Sequence, residues 1–295
     1  MVVGIDVGGT KIAGAVVARD SSLRATVTLP SPVAGADLIE AIVGVVEQLQ
    51  ARSSEPIQAV GVGVPSLIDA TTGRVEMTAN LDLADIDVRG VLHERLGVPI
   101  ALDNDGNLAA LGEHRVGAGR EHRDIVMLTI GTGVGGGLII GDKIFRGGNG
   151  TGAELGHMVV QADGPRCQRN CPNYGCLETM VSGTAIARDA GIPAPEVVRR
   201  AREGDATCVA VLARAGRYLG AGISGLANIF NPDAFIIGGG VSAAGDLILA
   251  SAIAEYRARA LPPNARAAVV LATLGPTAGT IGAGLLAWDL VDGNV

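Results

Sequence analysis

Along the chain, short Val- and Ile-rich runs alternate with stretches whose apolar residues recur every three or four positions. The runs at 2–5, 12–18, 57–64, 98–102, 124–130, 137–144, 233–237 and 267–272 are bounded by Gly, Pro, Asp or Asn, and each predicts a strand. Between them, Leu38, Ile42, Val45 and Leu49 share one helical face, and further helices are expected near 105–115, 184–202, 207–229, 245–260 and 279–291. The fold class is α/β. Ile5 to Val17 and Val126 to Ile144 each read as strand, glycine-rich turn, strand, with no room for a crossover helix, so hairpins are expected rather than a purely parallel doubly wound sheet. The two hairpins are alike: GIDVGGTKIAGAVV at 4–17 and LTIGTGVGGGLII at 128–140 both put glycines and a threonine at the turn. This predicts a duplicated architecture whose halves meet after Asp103 and hold a ligand in the cleft between them.

Composition narrows the function. The 295 residues include 44 glycines without a collagen period, which signals tight turns and close backbone approaches. A net charge of -7 argues against a broad nucleic-acid footprint, and one Trp, three Tyr and three Phe leave few stacking platforms, so polar contacts must recognise any small ligand. The uncharged stretch Ala267 to Trp288 is long enough to span a bilayer, but Pro276 and the glycines at 275, 279, 282 and 284 divide it, and no membrane segment is expected. The start, Met1 to Asp6, lacks a basic leader, which predicts a cytoplasmic protein.

In Asp6-Val7-Gly8-Gly9-Thr10-Lys11 a strand delivers an acid to its end and turns through two glycines whose amides suit phosphate oxygens. Asp6 suits Mg2+ as a hard oxygen ligand, and Thr10 and Lys11 suit phosphate. The alternative is an ordinary hairpin with a solvated acid and lysine. The loop Gly131-Thr132-Gly133-Val134-Gly135-Gly136-Gly137 contains G-x-G-x-x-G, yet Leu138-Ile139-Ile140 continues it as a strand, which favours a phosphate-contacting hairpin over a dinucleotide fingerprint. A third run, Gly238-Gly239-Gly240, ends a strand before a helix, where its backbone either lies against a base or ribose or simply packs closely.

Val98 to Leu102 leads into Asp103-Asn104-Asp105-Gly106-Asn107 ahead of a helix. These residues suit a helix cap. The same cluster offers chemistry, with Asp105 taking the proton of an attacking hydroxyl while Asn104 orients it. The densest signal is Glu154-Leu155-Gly156-His157 followed by Cys167, Cys171, Cys176 and Glu178. One imidazole and three thiolates suit a closed tetrahedral Zn2+ site, structural rather than catalytic, with Pro172 and Gly175 turning the chain so that the sulfurs can converge; the alternative is a set of reduced, uncoordinated cysteines. Such a metal fixes the loop carrying Glu154, His157 and Glu178, whose two carboxylates suit sugar hydroxyls. Cys208 reads as a core thiol, and His93, His114 and His122 as surface residues.

Taken together, DVGGTK, LDNDGN, GTGVGGG, ELGH, the cysteine knuckle with GCLE, Ser182-Gly183 and the GGG run resemble the ROK family, which groups bacterial sugar kinases with related repressors, over essentially the whole chain. Within it, the sequence is similar to the glucokinase-type members. The resemblance implies a two-domain actin-like ATPase (ribonuclease H-like) fold with the duplicated β-hairpins as phosphate loops. It implies a small domain of residues 1–107, with the C-terminal helix 279–295 packing back on it, and a larger domain 108–278 with the nucleotide site and zinc knuckle. It further implies Asp105 as the base and Asn80, Asn104, Asp105, Glu154, His157 and Glu178 as hexose contacts. Asp6, Gly8, Gly9, Thr10, Lys11, Thr132, Gly133, Gly238, Gly239 and Gly240 would serve ATP and its Mg2+. His157, Cys167, Cys171 and Cys176 would hold a structural Zn2+, His157 giving one ring nitrogen to zinc and the other to the sugar. Three features depart from the family pattern: three residues separate Cys167 from Cys171 where one is usual, Pro172 replaces the usual glycine, and Ser66 follows Pro65 where glycine is frequent.

The expected protein is an ATP-dependent hexose kinase acting on the 6-hydroxyl of glucose or a close amino-hexose, a cytoplasmic homodimer with no nucleic-acid or membrane partner. Rival readings are a kinase for N-acetylmannosamine, kanosamine or fructose, polyphosphate in place of ATP, and a sugar-responsive regulator. The regulator needs a DNA-binding module, for which the sequence ahead of Val2 leaves no residues.

Overall fold

The computed structural model describes residues 1–69, 72–78, 81–168 and 170–294. Two compact units are present: Met1–Arg120 with Lys143–Ala153 and Pro276–Val295 form unit 1, and Glu121–Asp142 with Glu154–Gly275 form unit 2. The chain runs β1 (Val2–Val7), β2 (Lys11–Val17), β3 (Leu23–Pro30), α1 (Gly35–Gln50), β4 (Ala59–Val64), β5 (Ser66–Ile68), β6 (Val75–Thr78), α2 (Val88–Leu96), β7 (Ile100–Asn104) and α3 (Asp105–Val116). It continues through β8 (Ile125–Ile130), β9 (Val134–Ile140), β10 (Lys143–Ile144), α4 (Leu177–Val181), α5 (Gly183–Ala190), α6 (Ala194–Arg202), α7 (Ala206–Phe230), β11 (Ala234–Gly238), α8 (Asp246–Arg259), β12 (Ala268–Leu271) and α9 (Ala278–Val291). Among the described residues no helix is long and apolar enough to cross a membrane.

The two main sheets repeat one plan. Their orders are β3-β2-β1-β4-β7 and β10-β9-β8-β11-β12. In each, an antiparallel hairpin, β1–β2 or β8–β9, is extended by two strands parallel to its first member. The register sets Asp6 beside Gly63 and Gly63 beside Asp103, so the acidic ends of β1 and β7 open at one edge of the first sheet. That edge is the carboxyl end of parallel strands, where open α/β sheets bind ligands.

The core of unit 1 is the buried face of α1, formed by Leu38, Ile42, Val45 and Leu49, laid on Ile5, Ile12 and Val62 of the sheet. Helix α9 packs on β1, β4 and α3. Its approach is backbone-close: a Cβ added at Gly112 of α3 would lie 2.6 Å from the Ala278 carbonyl oxygen. For this reason α3 belongs to unit 1, although the sequence reading opened the second domain at 108. In unit 2, α7 packs chiefly on α8.

Some elements escaped the sequence reading. Strand β3 alternates Leu23, Ala25, Val27 and Leu29 with polar residues, yet only Val27 is buried, as befits an edge. Helix α2 buries only Val88 and Leu92, and its ends carry the signal instead: Asp87 accepts the Gly90 N–H, and Gly97 stops it at φ 67°. The helix expected over 184–202 is two, broken by Gly191 at φ 69° and by Pro193. His114, expected at the surface, is buried because the inner face of α3 lies under α9. Cys208 is buried as expected.

Candidate active site

The carboxylates of unit 1 come first. Asp6 is the last residue but one of β1, just ahead of the Gly8–Lys11 turn, which the Gly8 N–H closes on the Lys11 carbonyl at 2.9 Å. Gly9, Thr10 and Lys11 are exposed. Behind Asp6 the start of α9 comes so near that a Cβ at Gly279 would lie 2.7 Å from the carboxyl carbon. Burial, then the negative charge of Asp105, raise the Asp6 carboxyl from 3.8 to about 7, with Lys11 opposing. Burial also raises Asp105, opposed by the N–H groups of Gly106 and of Asp105 itself. Two acids held above their ordinary range beside one another mark a site built for a proton or a cation.

Both shifts carry a stability consequence. A carboxyl raised on folding contributes stability that is present below its unfolded value and lost as pH climbs through its folded value. For Asp6 that window runs from about pH 4 to about pH 7. The ligand-free protein should therefore weaken over this range, and Asp6→Asn should melt about 5 °C above wild type at pH 8 while matching it at pH 4. Equal melting temperatures at pH 8 would refute the buried charge.

Asn104 caps α3: its Oδ1 accepts the N–H groups of Gly106 at 2.8 Å and Asn107 at 3.3 Å, and its Nδ2 donates to the Ser66 carbonyl at 3.3 Å. One amide proton is left over from these bonds to meet a ligand. Capping and chemistry thus share this residue. The sequence reading missed what stands behind it. The buried Asp103 carboxylate accepts the Asn104 N–H and the Asn107 Nδ2 on one oxygen, and the Arg146 Nε and Nη2, both at 2.7 Å, on the other. Four donors fix this carboxylate and with it the turn that presents Asp105. Arg146, far away in sequence, gave no local signal. Asn80 lies outside the described residues.

In unit 2, the chain turns at Gly131–Val134 and runs on as β9, so the helix a dinucleotide fingerprint requires is absent here. Gly183 N–H donates to the Gly131 carbonyl at 2.7 Å, and the Glu178 carboxylate accepts the Val134 N–H at 2.9 Å through Oε2. The third glycine run behaves in two ways. Gly238 packs 3.0 Å, at its notional Cβ, from Met127, and Gly239, at φ 82°, lies against the backbone of Ile130. Gly240 faces open space.

Ligand atoms of His157, Cys167, Cys171 and Cys176 all lie within 4.8 Å of one another. The four-residue step between Cys167 and Cys171 therefore still brings both sulfurs into the cluster. Burial, reinforced by hydrogen bonds that the Cys167 thiol donates to Cys176 and Cys171, pushes that thiol up, and burial likewise raises Cys176. Three thiolates this close would repel, and a divalent cation removes the conflict, so the donor set fits tetrahedral Zn2+. His157 turns Nδ1 to Cys167 Sγ at 3.5 Å and Nε2 toward Glu154 at 3.9 Å. One ring nitrogen therefore serves the metal cluster and the other points at an acid.

Comparison with known proteins fits this geometry. The ROK family model matches residues 2–289. The chain is 35% identical to the glucokinase of Streptomyces coelicolor, over 97% of each chain. Among solved structures, the ROK family glucokinase from Streptomyces griseus in complex with glucose and AMPPNP is 35% identical with a TM-score of 0.85, over 98% of this chain and 99% of that one. The ROK hexokinase from Thermus thermophilus is 34% identical with a TM-score of 0.89, over 99% of each.

Proposed function

The chain belongs to the ROK family and has its two-domain actin-like ATPase fold, and on that premise we propose that it transfers the γ-phosphate of ATP to the 6-hydroxyl of glucose or a close amino-hexose. The carrying observation is the pair Asp6 and Asp105, both raised, at the carboxyl edge of the first sheet.

Asp105 takes the proton from the 6-hydroxyl as its oxygen attacks the γ-phosphorus in line and the bond to ADP breaks. Asn104 orients that hydroxyl with its remaining amide proton. Lys11, Thr10 and the amides of Gly9, Thr132 and Gly133 neutralise the phosphate oxygens, the Gly8 N–H being held instead by the Lys11 carbonyl, and Asp6 faces the magnesium that enters with ATP. Gly240, with Gly238 and Gly239 as its support, lies against the nucleoside. Glu154 and Glu178 accept from sugar hydroxyls, and the His157 Nε2–H donates to one. Zinc held by His157, Cys167, Cys171 and Cys176 supplies rigidity to the loop that bears these contacts. ATP supply and reduced thiols support a cytoplasmic setting. Ile229 and Leu261 are exposed apolar residues that a homodimer contact would cover.

Coupled ADP release with MgATP across glucose, 2-amino- and 3-aminoglucose, N-acetylmannosamine, N-acetylglucosamine and fructose tests the reading. Glucose or an aminoglucose should show the highest kcat/KM. Preference for N-acetylmannosamine or fructose would replace the substrate, and turnover with polyphosphate alone would replace the donor.

A further inference from the structure

The Gly131–Val134 turn is held at three points by one continuous stretch, Glu178–Thr184. The Glu178 carboxylate accepts the Val134 N–H at 2.9 Å, the Gly183 N–H donates to the Gly131 carbonyl at 2.7 Å, and the Thr184 hydroxyl donates to the Thr132 carbonyl at 2.7 Å. A planar trans peptide points its N–H opposite to its C=O. Fixing the Gly131 and Thr132 carbonyls onto Gly183 and Thr184 therefore turns the N–H groups of Thr132 and Gly133 away from that stretch. Both then project on one side of the turn, where a single anion accepts them together.

We propose that Thr184 is a positioning residue for the transferred phosphate, acting through the Thr132–Gly133 peptide rather than by touching substrate. The proposal rests on reading this turn as the nucleotide's phosphate loop. Two observations set it apart from ordinary packing. Thr184 is exposed, so its hydroxyl is not needed to satisfy a buried core group. Its bond also reaches across 52 residues to the one peptide whose orientation decides where the Gly133 N–H points. The approach is tight throughout, since a Cβ at Gly183 would lie 3.0 Å from the Gly131 carbonyl oxygen.

The test compares wild type, Thr184→Val and Thr184→Ser, by steady-state kinetics and by calorimetric titration with AMPPNP and Mg2+. Valine keeps the shape and removes the hydroxyl. It should raise KM for MgATP and Kd for AMPPNP about three- to tenfold, the worth of one hydrogen bond. KM for glucose should stay within about twofold and the melting temperature within about 2 °C, as for a surface substitution. Serine, which keeps the donor, should restore nucleotide binding. Wild-type affinity in the valine variant, or a serine variant as weak as valine, overturns the proposal. So does a valine variant that loses sugar affinity and stability in step with nucleotide affinity, which is what a general structural role would give. Wild-type protein that binds no AMPPNP overturns the phosphate-loop reading itself, and the positioning role with it.

Discussion

Asp105→Asn is expected to lower kcat by about two to four orders of magnitude, the range a positioned general base supplies. The substitution is nearly isosteric. The Asn side-chain oxygen still accepts the Gly106 N–H that Asp105 Oδ1 now holds at 2.8 Å, so the start of α3 should keep its geometry. KM for glucose should change by no more than about threefold, because the loss falls on an interaction made in the transition state. The wild-type enzyme adds an independent readout. Since burial raises Asp105, and only its ionised form accepts a proton, kcat/KM should fall on the acid side through a value above 3.8. A variant within tenfold of wild type would remove Asp105 from the role of base.

Removal of zinc is expected to have the next largest effect. Purified protein should carry one zinc per chain, and Cys176→Ser or a chelator should remove it. An ion bound only by the folded state, at about a thousand times its dissociation constant, stabilises by about 4 kcal/mol. Its loss should therefore lower the melting temperature by roughly 10 °C. The sugar contacts should suffer too, because on the proposed reading His157 serves as both ligand and contact, and Cys176 precedes Glu178 by two residues at the start of α4. KM for glucose should rise about tenfold or more, as when ligand-supporting groups are lost at other metal sites. A zinc-free protein with unchanged melting temperature and unchanged KM would reduce the knuckle to an ordinary loop.

The local signals that proved legible were those in which chemistry and chain geometry coincide over a few residues. Each glycine-rich hairpin is written in a dozen consecutive positions, because an antiparallel pair needs only a turn to close. The knuckle could be read because its four candidate ligand residues span twenty residues, from His157 to Cys176. Weakly amphipathic α2 and edge strand β3 were not read, since few of their residues face a core. Gly279 shows the same boundary at single-residue scale: the sequence marks it as a helix-weakening glycine, and only the packed helix reveals the Asp6 carboxyl pressed against it.

The sequence by itself determined the α/β class, the repeated hairpins, the grouping of one His with three Cys and the acid that opens α3, since each depends on residue type and near-neighbour spacing. Tertiary structure alone decided which groups meet across the chain. It set Arg146 on Asp103, Thr184 on the Thr132 carbonyl, and Asp6 within the field of Asp105. Such pairings arise from strand order and from helices laid on sheets, and a shifted pKa exists only once burial has removed water from the carboxyl.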